Sequence, residues 1–163
     1  MELFKIELKR CDMTLNKFWE FLLSFENEYC KYRKRIMNRY SLTAAETDIL
    51  MFLANNPCYD TAAEVSKIRH IPKSQVSLSV KSLCEKGMLE SSHTPGNRKS
   101  IHLVVTDNAE PVVRYGRKVQ TEFSKVIFDG FTKEETDEFE KLHMKIADNI
   151  EKVQSQKQKK RSD

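Results

Sequence analysis

Apolar residues recur every three or four positions along most of this chain, and in one short stretch they crowd together as a β-branched run. From about Thr14 to about Met37, Leu15, Phe18, Trp19, Leu22, Phe25, Tyr29 and Ile36 keep helical spacing. Phe21 and Leu23 widen that arc, so this helix is expected to be buried on more than one side. Later helices open on a shared device, a Thr followed three residues on by Glu, at Thr43/Glu46, Thr61/Glu64 and Thr132/Glu135. In such a capping box the hydroxyl accepts from the backbone N–H of the Glu, and the carboxylate reaches back to the cap, which predicts helix starts near 44, 62 and 133. The first of these carries Ile49, Leu50 and Leu53 inward and stops at "NNP"; the second is short and ends near His70. Pro72 is expected in the first turn of the next helix, where a missing N–H costs little. That helix buries Val76, Val80 and Leu83 and stops at Gly87, a residue suited to a left-handed cap.

Beyond Gly87 the period changes. Met88-Leu89-Glu90 reads as a short strand, "IHLVVT" from Ile101 to Thr106 as a second, and "SHTPGN" between them carries a Pro-Gly turn signal. The result is a hairpin with Asn97, Arg98 and Lys99 at its tip, and with His93 expected opposite His102. A helix follows from about Pro111 to Phe128. A last one, from 133 to about 153, sets Phe139, Leu142, Ile146, Ile150 and Val153 on one face. The polar "SQKQKKRSD" reads as a disordered basic tail and residues 1–12 as an irregular or short helical arm. The fold class predicted is mostly α with a small β-hairpin wing, a winged helix-turn-helix flanked by N- and C-terminal dimerisation helices. Its expected segments are an arm and dimerisation helix over 1–40, the winged region over 41–109, dimerisation helices over 110–153 and the tail over 154–163. The dimerisation reading rests on Phe18, Trp19, Phe21, Leu22 and Phe25 near one end and Phe123, Val126, Ile127, Phe128 and Phe131 near the other. Those aromatic stripes exceed what one small core requires and mark an interface.

Charge sharpens this picture. The 163 residues carry a formal net charge of +4, and residues 61–106 alone hold seven basic and three acidic side chains, so the whole excess lies there. Basic charge confined to a helix, helix, hairpin segment is the electrostatic footprint of a duplex-DNA reader. Within it, Lys73, Ser74, Gln75, Ser77 and Lys81 fall on or near the outer faces of the Lys73–Lys86 helix. Gln can pair bidentately with adenine and Ser can reach base edges, whereas Lys73 and Lys81 suit phosphates. Arg98, with Asn97 and Lys99 beside it, can enter a minor groove.

Other chemistry finds little support. The histidines at 70, 93, 102 and 143 are scattered, no two of the four cysteines form a Cys-x-x-Cys pair, and four glycines leave no phosphate loop. No metal, cofactor or enzymatic activity is expected. No apolar run is long enough to span a membrane and no secretory leader is evident, so a cytoplasmic protein with four free thiols is expected. Of Cys11, Cys30, Cys58 and Cys84, Cys30 is the best candidate for a redox role because Lys31, Arg33, Lys34 and Arg35 follow it.

The blocks "LTAAETDILMFLANN", "TAAEVSKIRHIPKSQVSLSVKSLCEKGMLE" and "HTPGNRKSIHLVVTDNA" resemble, in order, the MarR family of transcriptional regulators over about residues 42–109. The resemblance implies a homodimer, a repressor or an activator. Two recognition helices would read successive major grooves of a pseudo-palindromic double-stranded DNA site, with Arg98 as the minor-groove residue. It also implies a small aromatic or lipophilic effector held between the dimer helices and the DNA-binding lobe, where Trp19, Tyr29, Tyr32, Arg33, Tyr40 and Phe52 could line the space. The chain departs from the family at Asn97 (usually Asp), Leu78 (often basic), Ala109 (usually Gly) and Ser66 (usually Ala). A winged-helix module that binds protein instead of DNA is the alternative reading, since fold does not fix function. A thiol sensor that still binds DNA is a third.

Overall fold

A computed structural model describes the backbone of residues 15–94 and 97–162; the predicted N-terminal arm and Cys11 lie outside the described residues. The chain forms two compact units, Met1–Phe123 and Ser124–Asp163.

In the first unit, helix α1 (Leu15–Tyr40) leads into α2 (Ala44–Asn55), α3 (Ala62–Arg69) and α4 (Lys73–Glu85). A two-stranded antiparallel hairpin follows, β1 (Leu89–Thr94) and β2 (Asn97–Val105), and a short 3-10 turn over Asp107–Ala109 enters α5 (Glu110–Ile127). The starts of α2 and α3 are the expected capping boxes. Thr43 Oγ1 accepts from Glu46 N at 3.2 Å while Thr43 N donates to Glu46 Oε2 at 2.6 Å, and Thr61 and Glu64 repeat the pattern at 3.3 and 3.0 Å. The core is built from Ile36 of α1, Ile49, Leu50 and Leu53 of α2, Val65 of α3, Val76, Val80 and Leu83 of α4, Leu89 and Leu103 of the hairpin, and Val112, Val113 and Val119 of α5. The inward positions expected for α2 and α4 are therefore the buried ones. Ser79 joins them on α4, small enough to fill the arc between Val76 and Leu83.

Several expectations need correcting. Helix α1 runs to Tyr40, beyond Met37, and its N-terminal half is not buried within the chain: Trp19, Phe21, Leu22, Leu23 and Phe25 are exposed. Pro72 is the N-cap of α4 and not a first-turn residue. The first strand is longer than expected, because pairing continues from Leu89 to Thr94. Its register sets Ser92, not His93, against His102, and His93 against Ile101. A shift of one residue moves a side chain to the other face of a sheet, so the two histidines hold positions of opposite parity.

In the second unit, Gly130 takes a left-handed backbone at φ +79°, and Thr132 and Glu135 cap helix α6 (Lys133–Ser162) at 3.2 and 2.8 Å. This helix continues through the polar tail to Ser162, where a disordered segment is expected from composition. The stretch contains no Gly or Pro and is rich in Gln and Lys, both good helix formers. Phe139, Leu142, Ile146, Ile150 and Val153 are exposed along α6, and Phe139 and Phe131 pack edge-on against Phe128. No described helix is long and apolar enough to cross a membrane.

Candidate nucleic-acid interface

Burial of Val76, Ser79, Val80 and Leu83 turns the opposite arc of α4 outward, and Lys73, Ser74, Gln75, Ser77, Leu78 and Lys81 are all exposed on it. The five polar residues singled out from the sequence therefore share one helix surface. Lys81 lies 3.9 Å from Glu85 across a turn, and with both side chains largely in water the pair holds the lysine only weakly.

The start of α4 differs from those of α2 and α3. Pro72 offers its carbonyl to Val76 N at 2.9 Å but has no N–H and no capping side chain, and among the described residues no other side chain caps this end. The backbone N–H groups of Lys73, Ser74 and Gln75 have no partner within the helix. They form the positive end of the helix dipole, beside the Lys73 side chain. The connection from α3 is tight. His70 takes a left-handed backbone at φ 52°, and Ser66 Oγ donates to the Ile71 carbonyl at 2.8 Å, fastening the turn from below.

The hairpin is fixed at its base. Leu103 N donates to the Asp60 carbonyl at 2.6 Å, Thr61 bridges His102, and His102 Nδ1 lies 2.9 Å from Asp60 Oδ2. Thr106 Oγ1 donates to the Gly87 carbonyl at 2.6 Å. Asn97, Arg98 and Lys99 open β2 at the free end, with Asn97 paired to Thr94; their side chains lie outside the described residues. Four residue steps of strand lead from His102 to Arg98, so the tip reaches about 13 Å beyond the clamp.

Not every basic residue of this segment is available to a ligand. Lys86 Nζ binds Glu46 Oε1 at 2.7 Å and also reaches the Ser41 carbonyl. Burial disfavours the Glu46 charge, but hydrogen bonds from Lys86, Ser82 and Thr43 outweigh it and hold the carboxyl down at about 2. Lys67 and Arg69 of α3 are exposed, as are Lys73 and Lys81 of α4.

A cleft of about 460 Å³ separates α4 from the base of the hairpin, with Val76, Val80, Ala62 and Ile101 on its walls and Lys73 and Lys81 at its edge. Five of the residues expected around an effector have partners within the chain. Tyr29 and Tyr32 pack on Phe123, Phe52 stacks on Tyr59, and Tyr40 donates to the Pro111 carbonyl. Arg33 pairs with Asp48 at 2.6 Å; burial pushes the Asp48 carboxyl up, against the pull of that guanidinium. The same guanidinium donates to Cys30 Sγ at 3.2 Å, so the basic neighbour of this thiol is Arg33 rather than the adjacent lysines. Among the described residues no cluster of His, Cys, Asp and Glu could hold a metal ion.

Two helices joined by a tight turn, the second with an exposed polar face and open N-terminal amides, stand beside a clamped basic hairpin. Residues 40–100 match the model of the MarR family. That segment is similar to the MarR family, and its fold is a winged helix. Solved MarR-family structures share the fold well beyond that segment. A MarR transcriptional regulator from Methanosarcina mazei Go1 superposes with a TM-score of 0.74 at 14% identity, over 91% of this chain and 99% of that one. A putative MarR family regulator from Listeria monocytogenes, complexed with 26mer DNA, gives 0.69 at 16%, over 86% and 90%. BpsR of Bordetella bronchiseptica, whose structure concerns regulation of DNA binding by 6-hydroxynicotinic acid, gives 0.64 at 18%, over 80% and 98%. No curated protein matches the sequence.

Sequence reasoning missed the Asp60–His102 clamp, the open amides of α4 and the bond made by Ser66. Only the amides left a signal: Pro72 occupies the place where α2 and α3 have Thr.

Proposed function

We propose that this chain is a homodimeric, sequence-selective DNA-binding regulator of transcription. The observation that carries the reading is the outward arc of α4, where Lys73, Ser74, Gln75, Ser77 and Lys81 surround an uncapped helix start in the one segment with net positive charge. In this reading the open amides and the two lysines hold phosphates, Gln75 and the serines reach base edges, and Arg98, flanked by Asn97 and Lys99, enters the minor groove. The DNA complex of the Listeria relative supports duplex DNA as the partner. The exposed apolar residues of α1 and α6 support a second copy of the chain as the other. Two copies would read a pseudo-palindrome, and their occupancy of a promoter would exclude polymerase, which makes repression the direct outcome. The Bordetella relative supports release by a small aromatic effector; the cleft between α4 and the hairpin base is the cavity where a molecule of that size would part helix from wing.

The test is fluorescence anisotropy on the protein's own upstream DNA and on a scrambled duplex, over a salt series, with Arg98→Ala and Lys73→Ala in parallel. Selective binding that falls with salt is expected, with Lys73→Ala reducing the salt slope by about 1. Absence of binding at low salt from a folded dimer would overturn the reading in favour of a protein-interaction module.

A further inference from the structure

Leu78 lies near the middle of the outward arc of α4 and is 71% exposed. Its helix-surface neighbours, three and four residues away on either side, are Ser74, Gln75, Lys81 and Ser82, all polar. Nothing in the chain's own core claims it: the buried arc is complete with Val76, Ser79, Val80 and Leu83. A single exposed leucine on a protein surface is ordinary. This one stands at the centre of the surface that carries the chain's DNA-reading side chains, and there its chemistry is restrictive. Leucine offers no donor or acceptor. The floor of the major groove is lined with donors and acceptors, and its one apolar group is the C5-methyl of thymine. An isobutyl group set against guanine N7 and O6, or against the cytosine amino group, strips those atoms of water and returns nothing. Against a thymine methyl it buries apolar surface on both sides.

We infer that Leu78 is a specificity-determining residue that reads a thymine methyl in each half-site, next to the base met by Gln75. This rests on the DNA-binding reading given above and deepens it. Because the amide of Gln75, one turn back, favours adenine, the pair selects an A·T-rich step at the centre of each half-site. The absence of a basic side chain at this position thus has a positive consequence: the helix exchanges a phosphate or guanine contact for methyl recognition.

The experiment needs no altered protein in its first arm. The full-length wild type selects its site from a randomised duplex pool. Each thymine of the selected half-sites is then replaced by deoxyuridine, which removes only the methyl group, and affinities are compared at fixed salt. One position per half-site is expected to lose affinity about fourfold on losing its methyl, as burial of one methyl group predicts, and to lose more when both half-sites are changed. In Leu78→Ala the same replacement is expected to have no effect, with unchanged melting temperature and unchanged dimer by sedimentation. A deoxyuridine effect that persists in Leu78→Ala assigns the methyl to another residue and overturns the inference. So does selective binding indifferent to every thymine methyl, which leaves the regulator reading intact. A Leu78→Ala protein that changes its oligomeric state makes Leu78 a contact between copies and likewise overturns it. Failure to select any site, with no salt-sensitive binding, defeats the regulator reading itself.

Discussion

At the residue scale, Glu46 shows how one side chain can serve several elements. It completes the cap of α2 through Thr43 N and receives Lys86 from the end of α4, and its side chain is almost fully buried. With its pKa held at about 2, below the ordinary carboxylate value, the charged form is favoured by folding. The stability it contributes is complete above the ordinary value and is lost as pH falls from there toward 2. Glu46→Gln is expected to cost about 2–3 kcal/mol at neutral pH, with Lys86 left without its partner. The gap between variant and wild type should close on acidification; urea titrations at neutral pH and near pH 3 check both parts. The amides of Ser74 and Gln75 make a second residue-scale prediction. Open in the free protein, they should exchange with deuterium quickly, and slowly once a phosphate occupies them. Amide exchange resolved by NMR, with and without duplex, reads this directly.

At the element scale, the hairpin is clamped by Asp60, a residue of the turn before α3. Its carbonyl takes Leu103 N and its carboxylate faces His102. Asp60→Ala removes only the carboxylate, which is half exposed, so the melting temperature should change little while the wing loses a fixed bearing. DNA affinity is expected to fall severalfold, with the largest loss on duplexes whose flanking minor groove is narrow; anisotropy on two such duplexes tests it. This clamp also shows where reading a sequence stops. Helix starts were legible because Thr43, Thr61 and Thr132 act locally on amides three residues away. The inward positions of α4 were legible because a 3.6-residue period fixes them. The register of the hairpin was not legible: its alternation tolerates a slip by one, and the choice is made by long-range bonds from Asp60 and Gly87. The polar end of α6 was missed for a related reason, since low hydrophobicity argues against a packed core but not against a helix. Among the candidate site residues, those on α4 came together as its period requires, while the side chains at the hairpin tip lie outside the described residues.

At the scale of the whole molecule, the exposed apolar residues of α1 call for a partner. Trp19, Leu22 and Leu23 share one helix face, and Leu23 is 71% exposed. Leu23→Asp should leave the monomer folded, because that residue takes no part in the chain's own core, and should shift sedimentation toward a monomer. In the dimeric reading a monomer would hold one half-site only, so its affinity for a full site is expected to drop at least tenfold. The distribution of charge has one more consequence. The residues outside 61–106 are neutral in sum, and Lys67, Arg69, Lys73 and Lys81 stand exposed within it. In the DNA-binding reading, excess charge gathered in the reading segment turns the protein in the field of a polyanion before contact, so that it arrives facing the groove. Its encounter rate should then collapse between low and physiological salt, whereas its residence time, which that reading assigns to Gln75, Leu78 and the wing, should shorten far less. For such a protein, ionic strength sets mainly how often a promoter is visited, and the bases set how long each visit lasts.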